Sequence, residues 1–160
     1  MLCVCAVLLL GWPSSSAASE ADIVAASAVR VVSVIERLST QLGLAVEISA
    51  VVLPAVPEVV SVSAPTPTDS SFRLAIEERF LVVLTQDELD AAVAHELGHV
   101  WVFTHHPYLQ TERLANQIAM RIVSRESLVS LYQKLERQGG SKYDLDSVLG
   151  PAPDDQRASQ

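Results

Sequence analysis

The sequence predicts an α+β fold: an N-terminal helix, a small β-sheet, then a helix that carries chemistry followed by a second one. Three patterns predict it. Residues 20–42 place apolar side chains at helical spacing along one stripe. Residues 44–76 break at prolines into short runs rich in β-branched residues. From residue 86 the helical period returns and continues to about residue 137.

In the first helix Ile23, Val24, Ala28, Val31, Val32, Ile35, Leu38 and Leu42 form the stripe, Arg30, Glu36 and Arg37 lie off it, and Gly43 is a stop signal. Residues 44–52 read as a strand that Pro54 and Pro57 end, and residues 59–63 as a second, shorter one. Residues 64–71, with Pro65, Pro67, Asp69 and Ser70, form a loop. Residues 72–76 alternate and residues 80–84 are a compact apolar run, so the two are expected to pair as a hairpin. Thr85 and Glu88 then match a capping box, which starts a helix at Gln86 that runs to about Thr104. Pro107 ends it, and one further helix is expected from about Leu109 to Arg137, closed by Gly139 and Gly140.

The chain has 160 residues, enough for one domain with a real core, expected over residues 20–150 with a flexible tail at 151–160. Lys and Arg number 11 against 19 Asp and Glu, a formal net charge of −8, with no basic run, so no nucleic-acid partner is expected. Residues 2–12 are apolar apart from Gly11, too short to span a membrane but suited to a signal peptide over residues 1–18, with Ser16 and Ala18 as the small residues before the cut. No Lys or Arg precedes that run. If it acts as a signal, the chain is exported, periplasmic or secreted, with no membrane span left after cleavage; otherwise it is cytoplasmic. Cys3 and Cys5 would leave with the signal, and the mature chain would hold neither a disulfide nor a thiolate ligand.

All four His fall between His95 and His106. The first two stand in His95-Glu96-Leu97-Gly98-His99 on the capped helix. Two His four residues apart lie about 40° apart around a helix, so both rings can address one metal ion. Glu96 is turned by about 100° from His95 and can reach a water on the same ion. One zinc ion with three protein ligands and an open position lowers the pKa of that water, and Glu96 serves as its base. The neighbours Ala91, Ala92, Val93, Ala94, Leu97 and Val100 keep the pair off an open polar face.

The third ligand is expected to be Glu112, at the start of the next helix, with Asn116 one turn later to hydrogen-bond the outer nitrogen of a ligand His. The rival is His105, because His95, His99 and His105 keep the metzincin spacing. That geometry needs a glycine where Val102 stands, and in an unbroken helix His105 lies about 240° from His99.

Residues 84–99 resemble the active-site helix of HtpX-like and CAAX-protease-like zinc metallopeptidases. Glu112-Arg-Leu-Ala-Asn116 is similar to their downstream segment and to that of ImmA/IrrE-like peptidases, all of them gluzincins. The resemblance covers residues 72–125. It implies zinc-dependent peptide-bond hydrolysis in a minimal zincin-like domain, with His95, His99 and Glu112 as ligands, Glu96 as base and Asn116 behind a ligand. It also implies a substrate backbone that joins a sheet edge at residues 72–76 or 80–84. This chain departs from the pattern in two ways: only 12 residues separate His99 from Glu112, and the membrane helices of HtpX-like enzymes are absent. An oxyanion donor is also needed. Tyr108, nearest the turn, is the candidate, ahead of Tyr132, Tyr143, His105 and His106. The alternative to an enzyme is a non-catalytic, zinc-stabilised interaction or regulatory domain derived from a metallopeptidase.

Overall fold

A computed structural model describes residues 20–152. The chain forms α1 (Glu20–Leu42), β1 (Ile48–Leu53), β2 (Val60–Ser63), β3 (Phe72–Glu77), α2 (Glu78–Leu81), α3 (Gln86–His105), α4 (Glu112–Ala119), α5 (Arg125–Arg137) and α6 (Leu145–Leu149). This is the expected α+β order: a leading helix, a three-stranded mixed sheet, then the helix of the His pair and the helix of Glu112. The signal-peptide segment with Cys3 and Cys5, and most of the expected tail, lie outside the described residues.

The sheet runs β1-β3-β2, with β1 parallel and β2 antiparallel to β3. Phe72, Leu74 and Ile76 alternate into the core while Arg73 faces solvent, which is the period of two that marked this segment. The expected hairpin does not form. Residues 80–84 contribute no strand; they turn through α2 and a tight bend. The reason lies in their burial. Phe80, Leu81 and Leu84 are buried while Val82 and Val83 are exposed, a helical spacing that a two-fold strand period cannot supply. The partners of β3 are instead the two upstream strands.

Two other boundaries move. The first strand begins at Ile48 rather than residue 44. The long C-terminal helix divides into α4 and α5, with the break at residues 120–124, because Ser124 acts as an N-cap and accepts a hydrogen bond from the Ser127 amide. The short helix α6 was not expected; Asp144 caps it. Gly43 sits at φ +68°, where α1 must stop and only a glycine is unstrained.

α1 packs against β1 and α3, and α3 packs against β2, so the two helices form one layer over the sheet. Val31, Val34, Ile35 and Leu38 of α1 meet Leu74 and Ile76 of β3 and Leu89, Val93 and Leu97 of α3. Each fully buried Leu or Ile here contributes about 2 kcal/mol. Arg37 adds a two-pronged ion pair to Asp90, at 2.7 Å to each oxygen, which fixes the register of α1 on α3. No described helix is long and apolar enough to cross a membrane.

Candidate metal centre

α3 starts with the expected capping box. Thr85 Oγ1 accepts from the Glu88 amide at 3.2 Å, and Glu88 answers by accepting from the Thr85 amide at 2.9 Å. The helix then runs unbroken through His95 and His99, whose rings stand 4.8 Å apart at 85° to each other. α4 begins behind its own cap, Thr111, which accepts from the Leu114 amide at 3.2 Å. That cap makes Glu112 the first residue of α4 and aims its carboxylate back at α3.

The close approach of the two helices depends on Gly98. A Cβ placed there would lie 2.3 Å from the Ala115 carbonyl oxygen, so no other residue type fits without moving backbone. With α4 this near, Glu112 Oε2 lies 3.2 Å from His95 Nε2, and Oε1 lies 3.5 Å from His99 Nε2. The two Nε2 atoms are 3.2 Å from each other. His95, His99 and Glu112 thus offer three ligand atoms to one point and could hold a metal ion.

Two observations test whether a divalent ion fits. Ligand atoms about 2.0–2.1 Å from a tetrahedral ion lie about 3.3 Å from one another; the two Nε2 atoms keep that spacing, each has a Glu112 oxygen within 3.5 Å, and one ligand atom from each residue fits within 4.8 Å of the others. The second is tautomeric. His95 Nδ1 lies 2.8 Å from Asn116 Oδ1, which can only accept, so Nδ1 carries a hydrogen and it is Nε2 that presents a lone pair when the ring is neutral. Two imidazoles and a carboxylate suit zinc, and the arrangement is consistent with an HExxH-type site completed from the following helix.

Charge and burial follow from this packing. Glu96 is buried at 7% exposure, and burial raises its pKa above the ordinary carboxylate value, against the pull of His95 and His99. The backbone N–H of Val62 in β2 faces it. Hydrogen bonds from His95 and His99 hold the Glu112 carboxyl far below its usual range. Burial works against the charged form of His95, but the Glu112 hydrogen bond, the Glu96 charge and Asn116 outweigh it and raise the pKa.

A cavity of about 740 Å³ opens onto these groups. It is lined by β2 and Ala64, by Phe72 and Phe103, which meet edge to face at 5.4 Å, and by Leu131, Tyr132, Leu135 and Tyr143. The structure brings His95, Glu96, His99 and Glu112 to this cavity, with Asn116 wholly buried behind His95. It does not bring Tyr108 there: that side chain is 97% exposed and does not line the cavity, whereas Tyr132 and Tyr143 do. His105 stays out of the cluster as well. Its ring stacks on Trp101 at 4.1 Å, and its Nδ1 lies 2.9 Å from the Trp101 carbonyl. The helix does not bend at Val102, so His105 never turns toward His99.

The sheet edge beside the site also differs from expectation. Residues 72–76 form the central strand and residues 80–84 are not a strand, so neither offers an edge. β2 is the edge that borders the cavity. Sequence patterning placed β2 correctly but gave no strand order, and only the pairing of β3 with both neighbours shows which edge faces Glu96.

No family model, no curated protein and no solved structure matches this chain.

Proposed function

We propose that the chain is a zinc metallopeptidase that hydrolyses peptide bonds with Glu96 as general base. The observation that carries this reading is the convergence of His95, His99 and Glu112 on one point beside a buried carboxylate in an open cavity. A zinc ion bound there supplies Lewis acidity and brings the pKa of a water toward neutrality.

The protein's own groups do the rest. His95 and His99 stand on one rigid helix, so their geometry is set before substrate arrives. Glu96 accepts the proton of the attacking water as its oxygen bonds to the scissile carbonyl carbon. It then passes that proton to the amide nitrogen as the C–N bond breaks. Burial supports this role, because a carboxylate whose pKa is raised takes the proton from the attacking water more readily and holds it until the more basic leaving amine accepts it. The substrate is an extended peptide or unfolded protein segment that lies along β2, where outward backbone groups are available. Export by a signal peptide at residues 1–18, and a single domain over residues 20–150, belong to the same proposal.

Glu96→Gln tests it. The variant should bind zinc one-to-one like the wild type and cleave neither an unfolded protein nor a peptide library. A wild type that carries stoichiometric zinc yet cleaves none of these would overturn the enzyme reading and favour a zinc-stabilised interaction domain.

A further inference from the structure

We infer that Tyr132 is a positioning residue which, through Asn116, holds His95 in the tautomer that presents Nε2 to the metal. The inference rests on the metal-centre reading above for its purpose, and on hydrogen bonds alone for its geometry.

Asn116 is wholly buried, and its amide has three partners. Nδ2 lies 3.1 Å from the Val148 carbonyl oxygen of α6. A carbonyl only accepts, so the NH₂ end must face it. The second hydrogen of the same NH₂ goes to the Tyr132 hydroxyl of α5, at 2.7 Å. With both hydrogens used, Oδ1 is left for His95 Nδ1 at 2.8 Å, and that nitrogen must donate.

Reversing the amide would set two acceptors against each other at Val148. Removing the Tyr132 hydroxyl has a different consequence: one N–H of a buried amide loses its partner, and the orientation is held by a single bond. Two elements that carry no ligand, α5 and α6, therefore converge on the ring nitrogen that faces away from the metal. The Tyr132 ring also stands edge-on to His95, with centroids 6.2 Å apart, so the phenol and the imidazole it steers keep a fixed relation.

Tyr132→Phe removes the hydroxyl and keeps the ring. Ser130→Ala is the control, since it deletes a different hydrogen bond of α5, the 2.8 Å bond to Glu88, with no link to Asn116. Imidazole ¹⁵N spectra of metal-free protein at alkaline pH report the His95 tautomer, and competition with a chromogenic chelator reports zinc affinity. The wild type should show His95 protonated at Nδ1 alone. Tyr132→Phe should show averaged tautomer shifts and bind zinc about tenfold more weakly, while Ser130→Ala changes neither. Asn116→Leu cuts the same relay at its middle and should release the tautomer too, which keeps the test open if Tyr132→Phe does not fold.

Unchanged ¹⁵N shifts in Tyr132→Phe, or an equal loss of affinity in Ser130→Ala, would overturn the inference. A wild type that binds no zinc while its tautomer still responds to Tyr132→Phe would remove the metal reading and leave the positioning role standing.

Discussion

Gly98 and Ala115 form the point of closest approach between α3 and α4: a Cβ on Gly98 would lie 2.3 Å from the Ala115 carbonyl oxygen and 2.9 Å from its carbon. Helix propensity alone favours alanine over glycine by about 1 kcal/mol at such a position. Here the clash is with backbone, which cannot rotate away, and overpacking of this kind costs about 1–3 kcal/mol. Gly98→Ala should therefore lower stability despite better propensity. It should also weaken zinc binding at least tenfold, because α4 carries Glu112 and moves with the displaced contact. Denaturant unfolding and chelator competition measure the two effects. A variant as stable as wild type, with intact zinc affinity, would show that the helices can separate without disturbing the site.

A second expectation concerns acid. Glu88 is 5% exposed, and it accepts from Lys134 Nζ, from Ser130 Oγ at 2.8 Å and from the Thr85 amide at 2.9 Å. Burial alone would raise its pKa, but the Lys134, Thr85 and Ser130 hydrogen bonds pull it down to about 2. The folded-state value lies below the unfolded one, so the stabilisation is complete above about pH 4.5 and is lost as pH falls toward 2. The shift corresponds to about 3 kcal/mol across that window. Glu88→Gln should flatten the pH dependence of stability between those limits. Lys134→Met should cost about 3–5 kcal/mol at neutral pH, because it strands a buried carboxylate. Urea titrations at several pH values settle both.

The parts of the molecule that were legible in the sequence are those fixed by neighbours close in the chain. The helix α1, the Thr85–Glu88 box and the His95–Glu96–His99 spacing each lie within a few turns of one helix and stand in the structure as expected, except that in α1 Val34 is buried and Val32, expected on the stripe, is exposed. Glu112 was reachable because a short connection forces α4 back along α3. Contacts that depend on tertiary placement were not legible. Lys134 lies 46 residues from Glu88, and Tyr132 reaches Asn116 only because the chain breaks at Ser124 and α5 turns back onto α3. Residues 80–84 misled for a related reason: five consecutive apolar residues carry no period of their own, and burial at the third dimension decides which of them turn inward. The expectation for Tyr108 rested on nearness in sequence to the turn, and that turn projects its side chain into solvent.

Metal removal separates the catalytic reading from the structural one. The core that joins α1, β3, α3 and α5 is apolar and does not pass through the His95–His99–Glu112 cluster. A chelated sample should therefore keep its helical circular dichroism and its cooperative melt. Zinc at one hundred times its dissociation constant should add about 3 kcal/mol, seen as a higher melting temperature. Complete unfolding on chelation would instead mark zinc as a structural element.

The edge of β2 offers the last test, which concerns substrate rather than metal. In β2 the Val62 N–H faces Glu96, away from β3, so alternate residues direct their backbone groups toward the cavity. Ala64 follows with the same parity and lines the cavity. An extended substrate that adds to this edge would use the Ala64 N–H as a donor without involving Glu96. Ala64→Pro removes that donor at an edge position, where proline is tolerated. It should raise KM about tenfold, the worth of one hydrogen bond of about 1.4 kcal/mol. Zinc affinity should hold, kcat should change little, and the melting temperature should stay within a few degrees of wild type. Val62→Pro should differ by lowering kcat as well, since its N–H faces Glu96, the base in the proposed reaction. Steady-state kinetics on one cleavable peptide give both constants for each variant. If Ala64→Pro leaves KM at the wild-type value, the substrate does not pair with β2, and the cavity must take its ligand through side-chain contacts alone.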